Sequence, residues 1–399
     1  MESFQVAVIG GGPGGYETAI RLNQYKISTV CFEKSRLGGV CLNWGCIPTK
    51  ALVKSADLYA EIKQAGEFGI EVGDTKLDFE KVYSRKTEVV EKLVSGIEYI
   101  FKKRNIPMIN KNVDKIVKKD DKYIIYADGE AQCSVEYVIL ATGSVPKELP
   151  FMRFDGERIL SSNDILHIEK IPESLAIIGG GVIGCEFASI FAQFGTKVEI
   201  IEFLPELIAT EDSEISRRLS LGLKKLGIKI NLRVGVEKAE IIDDKVQLTL
   251  ANGKITEAEK VLVAVGRQPV CDIKMEGFEI ASERGFITIN DECRTNERQV
   301  FSIGDITGKM QLAHTASKQG LRVAELINAE LKSEQIEQDE LVYENIPRCV
   351  FTNPELASCG LTEKQAQEKY GEILVGKFPY AANGKSLSMG NNFGFVKTI

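Results

Sequence analysis

Short, unbroken apolar runs recur along the chain, and the most informative of them end on glycine. Val6-Ala7-Val8-Ile9 runs into Gly10-Gly11-Gly12-Pro13-Gly14-Gly15; after a helix-compatible stretch, a second run, Ser28-Thr29-Val30-Cys31-Phe32, ends on Glu33. The arrangement returns as Ala176-Ile177-Ile178, then Gly179-Gly180-Gly181-Val182-Ile183-Gly184, then Lys197-Val198-Glu199-Ile200-Ile201 ending on Glu202. Gly10 to Glu33 and Gly179 to Glu202 are both 23 residues apart. Each third glycine is followed two positions later by a glutamate, Glu17 or Glu186. Each unit closes with another apolar run and a Gly-x-x-Pro turn, Val138 to Pro146 through Ala141-Thr142-Gly143-Ser144, and Val261 to Pro269 through Val265-Gly266-Arg267.

Strand, tight glycine turn, helix and second strand ending in an acid is the βαβ pattern of a Rossmann-like unit. The glycines let the backbone approach a pyrophosphate, the helix N-terminus favours its charge, and the acid accepts from a ribose hydroxyl. Two matched units predict an α/β fold that binds two dinucleotides: one on Gly10, Gly12, Gly15 and Glu33, the other on Gly179, Gly181, Val182, Ile183, Gly184 and Glu202. Neither acid is replaced by arginine, and Glu202 is followed by Phe203 and Leu204, so the second site is expected to reject a 2′-phosphate and take NAD over NADP.

The 399 residues allow two or three domains of about 150 residues each. Net charge is 50 − 57 = −7, with no basic tail, so nucleic acid is not an expected partner. No apolar run approaches the roughly 18 residues of a membrane span. The start Met1-Glu2-Ser3-Phe4 lacks a basic region and a cleavable apolar segment, so a cytoplasmic location is expected. Only His167 and His314 offer an imidazole.

Of the nine cysteines, Cys41 and Cys46 stand out, in Leu37-Gly38-Gly39-Val40-Cys41-Leu42-Asn43-Trp44-Gly45-Cys46-Ile47-Pro48-Thr49-Lys50. Two buried thiols are one reading of the pair. A metal centre would need two further ligands, and no second pair follows, so no metal is expected. A reversible disulfide explains more: a regular helix would hold residues five apart too far from one another, but Gly45 and Pro48 supply an irregular turn.

Residues 38 to 52 resemble the redox motif of the flavoprotein disulfide reductases, most closely in the wording of the dihydrolipoamide dehydrogenase branch. The resemblance continues through Ala141-Thr142-Gly143-Ser144, Val300-Phe301-Ser302-Ile303-Gly304-Asp305, Leu312-Ala313-His314-Thr315-Ala316 and Ile346 to Glu355. It implies that the first unit binds FAD, with Glu33 on its ribose, Gly39, Lys50, Thr142, Gly143, Ser144 and Asp305 around it, and Leu312, Ala313 and His314 against the flavin ring. The second unit would bind NAD, with Glu186, Val265, Gly266 and Arg267 completing the site. Lys50 and Glu186 match the family's ion pair beside the flavin, and His167 lies in no motif. The chemistry implied is oxidation of dihydrolipoamide by NAD: substrate thiolate attacks Cys41, Cys46 is left as a thiolate against FAD, and a hydride passes to NAD.

The resemblance also implies a homodimer in the full-length protein, a small dithiol or lipoyl-domain substrate, and a place in a 2-oxo-acid dehydrogenase complex. Expected domains are residues 1–149 with 271–339 for FAD, 150–270 for NAD, and 340–399 as an incomplete α+β interface domain. The family's C-terminal base is a histidine paired with glutamate. No histidine follows His314, and Gly394 to Ile399 reads as the middle of a strand. The chain is therefore expected to bind FAD and reduce dyes with NADH, but to turn over lipoamide some ~10²–10⁴-fold more slowly for lack of that base. A related disulfide reductase of the glutathione or mercuric type and a non-catalytic flavoprotein scaffold are the alternatives.

Overall fold

The computed structural model describes residues 1–335 and 341–399. It resolves into two compact units: Met1–Pro48 with Lys86–Val145 and Arg267–Tyr343, and Thr49–Arg85 with Pro146–Gly266 and Glu344–Ile399. The expected boundary between residues 339 and 340 lies outside the described residues.

The α/β class and both Rossmann-like sheets are present. In the first unit the strand Val6–Ile9 is central: Thr29–Phe32 pairs parallel on one side and Tyr137–Leu140 on the other. Met108–Ile109 and Val300–Ser302 complete the parallel sheet. Its central strands, Val6–Ile9, Thr29–Phe32 and Tyr137–Leu140, are fully buried, which is why they read as unbroken apolar runs and not as alternation. The helix Pro13–Gln24 returns the chain from the first strand to the second. It packs on Ala313–Lys332 so closely that a Cβ on Gly320 would stand 2.0 Å from Thr18 Oγ1. A second sheet in this unit is a meander of Val113–Lys119, Lys122–Ala127 and Glu130–Val135, with Glu2–Ser3 and Lys274–Glu276 paired parallel at its edges.

The second unit repeats the plan. Ser174–Ile178 is central, flanked in parallel by Lys197–Ile201 and Lys260–Val263, with Lys229–Asn231 and Ile159–Leu160 outside them. Val182–Phe194 is the crossover helix. An antiparallel sheet of Val236–Ile242, Lys245–Leu250 and Ile255–Ala258 follows. The segment after residue 344 contributes two hairpins, Arg348–Val350 with Leu356–Ser358 and Gly376–Pro379 with Phe395–Thr398. Among the described residues no helix is long and apolar enough to cross a membrane.

The last hairpin is held by a buried cation. Lys397, with 5% of its side chain exposed, reaches Asp212 at 2.8 Å and Glu363 at 2.6 Å. Asp212 also caps the helix Ser213–Lys225 by accepting from Glu214 N. Burial would raise the Asp212 carboxyl, but Lys397 and the N–H groups of Glu363 and Glu214 outweigh it and hold it below its ordinary value. A depressed carboxylate contributes stability that is full above its unfolded pKa and is lost as pH falls through the folded one. The unfolding midpoint is therefore expected to fall more steeply below about pH 4 in the parent than in Lys397→Met. Parallel slopes in thermal melts across that range would contradict this.

Candidate active site

Each dinucleotide cradle is made by backbone approaching backbone. Gly10 has φ +111° and Gly179 φ +107°, and a Cβ would meet Ala141 O at 2.2 Å in the first case and Ala264 O at 2.4 Å in the second. The third glycines are tighter still: a Cβ would lie 1.8 Å from Gly10 O at Gly15 and 2.0 Å from Gly179 O at Gly184. The helices that follow start at Gly12 and Gly181 with neither a side-chain cap nor an acid in the first turn. Their leading N–H groups, those of Val182 and Ile183 included, are thus donors suited to a pyrophosphate.

The two acids behave identically. Glu33 accepts from Gly11 N at 2.7 Å and Ser35 N at 2.8 Å, one bond to each carboxylate oxygen. Glu202 accepts from Gly180 N at 2.5 Å and Leu204 N at 2.6 Å. Each acid therefore ties its strand end to the second glycine of its own motif.

In the first unit the cysteine segment grows out of the cradle. Gly39, with φ +54°, sits so near Gly12 that a Cβ would be 2.6 Å from Gly12 Cα. Cys41 lies in the short helix Gly39–Trp44, Gly45 breaks it at φ −144°, ψ −107°, and Cys46 opens the helix Cys46–Gln64. Gly45 alone makes the break; Pro48 falls in the first turn of the next helix, where a missing N–H costs nothing. Both cysteines are half-buried. The Asn43 amide donates to Leu37 O and Gly39 O and so fastens the loop, while its Oδ1 is buried without a partner. That acceptor, the Gly12–Gly39 approach and the uncapped helix are features a bound dinucleotide would use. Burial, with the charges of Glu17 and Cys41, raises the Tyr16 phenol well above its usual value.

Asp305 lies on the turn Gly304–Thr307 and accepts from Ser144 Oγ at 2.5 Å. Arg267, 11% exposed, donates through Nε to Ser144 Oγ and through its terminal nitrogen to Ser144 O, both at 2.7 Å, with Asp305 3.8 Å away. Burial pulls its guanidinium below the ordinary value, against the upward pull of Asp305 and Cys46. Thr142 Oγ1 donates to Val270 O, and Val270 N to Gly143 O. Leu312 caps the helix that Ala313 and His314 begin, and Thr315 Oγ1 is buried there without a partner.

In the second unit Lys50 Nζ contacts both Glu186 oxygens, at 2.9 and 3.0 Å. Glu186 is buried, and Lys50 remains 32% exposed. Phe351 N donates to Glu186 Oε1 at 3.0 Å, and its ring lies 4.5 Å from Lys50 Nζ. Phe351 was not among the residues expected at the site, although it lies in the Ile346 to Glu355 segment that carries the resemblance; its contacts with Lys50 and Glu186 come from the fold, not from spacing. Gly266, φ +113°, follows the closing strand and Val265, with open space where a Cβ would be. His167 is exposed on the turn Asp164–His167.

Residues 4–320 match the family described as pyridine nucleotide-disulphide oxidoreductase, and residues 346–399 its dimerisation domain. A dihydrolipoyl dehydrogenase of Bacillus subtilis is 37% identical over 99% of this chain and 85% of its own length. One from Chlamydia muridarum is 38% identical over 100% and 84%. Among solved structures, the HOCl-induced flavoprotein disulfide reductase of Escherichia coli is 27% identical, covers 99% of this chain and 86% of its own, and has a TM-score of 0.82.

Proposed function

The chain belongs to the pyridine nucleotide-disulphide oxidoreductase family, and on that premise we propose that it oxidises dihydrolipoamide with NAD through Cys41 and Cys46. One observation carries this reading: the cysteine segment is anchored on the first glycine cradle by the Gly12–Gly39 approach, which supports a redox pair acting beside whatever that cradle holds. The first cradle would take FAD on Gly10, Gly12, Gly15, Glu33, Gly39, Ser144, Asp305 and the His314 segment. The second would take NAD on Gly179, Gly181, Gly184, Glu202, Val265 and Gly266, with Arg267 adjoining through its main chain. The domain limits at residues 149 and 270 belong to the same proposal, as do homodimer formation and service to a 2-oxo-acid dehydrogenase complex.

In the oxidised enzyme, with Cys41 and Cys46 joined as a disulfide, a substrate thiolate attacks Cys41 Sγ; a substrate–Cys41 S–S bond forms as the Cys41–Cys46 bond breaks, and Cys46 leaves as a thiolate. The second substrate thiol then attacks the mixed disulfide and releases Cys41, so that the substrate ends as a cyclic disulfide and the enzyme as a dithiol. FAD, when bound, supplies the two-electron relay between that dithiol and NAD. Glu202, fixed by two backbone donors, accepts from a ribose 2′-hydroxyl and repels a 2′-phosphate.

Steady-state assays of the reverse reaction test this. NADH is expected to exceed NADPH in kcat/KM by roughly 10²-fold, the scale of about 3 kcal/mol for misplaced like charges. Lipoamide is expected to exceed glutathione disulfide. A chain that prefers NADPH and glutathione disulfide would instead be a glutathione-type reductase.

A further inference from the structure

The three stretches of chain that meet at Lys50, Glu186 and Phe351 meet a second time, two helical turns further on. We infer that Gln193 is a positioning residue for the proposed reaction: with Asp57 and Asn353 it forms a second polar rung that holds Lys50 and Glu186 in register. The inference deepens the proposed function and rests on it, through a residue that lies outside the glycine and cysteine motifs.

Both rungs lie within the second unit. In the first, Lys50 on the helix Cys46–Gln64 meets Glu186 on the helix Val182–Phe194, and Phe351 N donates to the same carboxylate. In the second, Gln193 Nε2 donates to Asp57 Oδ1 and Gln193 Oε1 accepts from Asn353 Nδ2, each at 3.2 Å. The steps 57 − 50 and 193 − 186 are both 7. Seven residues make about two turns and roughly 10 Å of rise, so each helix presents its two rung residues on one face, and the helices run parallel with equal steps. Between the rungs Ser189 Oγ accepts from Asn353 N at 2.9 Å. The two helices also share an apolar core, which includes Val53, Ala56, Phe187 and Ile190. Ser189 and Gln193 are buried, so their bonds are not exchanged cheaply for bonds to water. The Gln193 amide gives an N–H to a carboxylate and an oxygen to an amide donor; neither leucine nor glutamate can do both. A slide of one helix along the other that opened the Gln193–Asp57 bond would shift Glu186 against Lys50 by the same distance.

The test compares the flavin-loaded full chain with Gln193→Leu, Lys50→Met and the double variant, by NADH-driven dye reduction and by urea unfolding. Gln193→Leu is expected to lower kcat roughly tenfold, short of the ~10²-fold that an ångström of misplacement can cost, with KM for NADH and flavin content unchanged. In the Lys50→Met background the same substitution is expected to cost less than about twofold more, because the pair it positions is already broken. Losses that multiply, or an unchanged kcat in a folded Gln193→Leu, overturn the inference. If Gln193→Leu does not fold, Asp57→Ala, at the half-buried end of the rung, goes through the same cycle with the same two outcomes. The urea midpoint gives a reading independent of turnover: the double variant is expected to fall by less than the sum of the single shifts, and additive shifts overturn the inference. A parent that does not oxidise NADH, or a Lys50→Met that turns over at the parental rate, would instead count against the proposed function itself.

Discussion

Gly15→Ala is expected to leave purification without flavin, and Gly184→Ala to keep its flavin while losing NADH oxidation. The two substitutions add the same methyl at equivalent points of the repeat. At Gly15 it would lie 1.8 Å from Gly10 O, and at Gly184 2.0 Å from Gly179 O. Neither obstacle is a side chain that can rotate away; each is the carbonyl of the first cradle glycine. The helix must therefore withdraw by more than an ångström, which takes its leading N–H groups out of pyrophosphate range. Overpacking of this kind costs about 1–3 kcal/mol or more, and the lost donors remove binding energy besides. Because each glycine sits in a different compact unit, the defects should separate. Flavin absorbance of the purified proteins and NADH-driven dye reduction check both, and a flavin-replete Gly15→Ala would refute the first.

Lys50→Met is expected to cost about 3 kcal/mol of stability, Glu186→Gln only about 1. The pair is unequal in burial: Glu186 is 5% exposed and Lys50 32%. Removing the lysine strands a carboxylate that water does not reach, and breaking a buried pair from that side is the expensive direction. Glutamine keeps an acceptor for the Phe351 N–H and for Lys50, whose ammonium is partly hydrated already. Losing the Lys50–Phe351 contact adds about 0.5–1 kcal/mol to the lysine variant. Under the proposed function Lys50→Met also slows NAD-linked turnover by about 10²-fold, as removal of one fixed electrostatic group does. Urea titrations and steady-state rates check the order, and equal costs would show that Glu186 is better solvated than its burial implies.

How much of this could be read from the sequence depends on the range of the physics involved. The cradles were legible because their constraints are local: a turn that needs positive φ at Gly10, and a helix that must start within a few residues of a strand. Their repeat at Gly179 turned a common motif into a fold. Glu186 and Glu17 occupy equivalent positions in that repeat but meet different neighbours, Lys50 in one case and Tyr16 in the other. Lys50 and Glu186 are 136 residues apart, and Phe351 a further 165 from Glu186, so only the resemblance, and never the spacing, could bring the first two together. Arg267 illustrates the opposite hazard. Its place in the second repeat fixes only its main chain; the direction of so long a side chain answers to the nearest buried acceptors, here those of Ser144.

The paired backbone bonds to Glu33 and Glu202 bear on how such enzymes change cofactor. Under the proposed function each carboxylate would bind a ribose, but in the structure it is first a loop staple, since it joins the second glycine to the residue two beyond itself. A substitution that trades Glu202 for a smaller or basic side chain, to welcome a phosphate, would release Gly180 N and Leu204 N at the same stroke. Cofactor preference and loop geometry are thus inherited together, and a lineage drifting from one nucleotide to the other would have to redesign a turn, not merely exchange a residue.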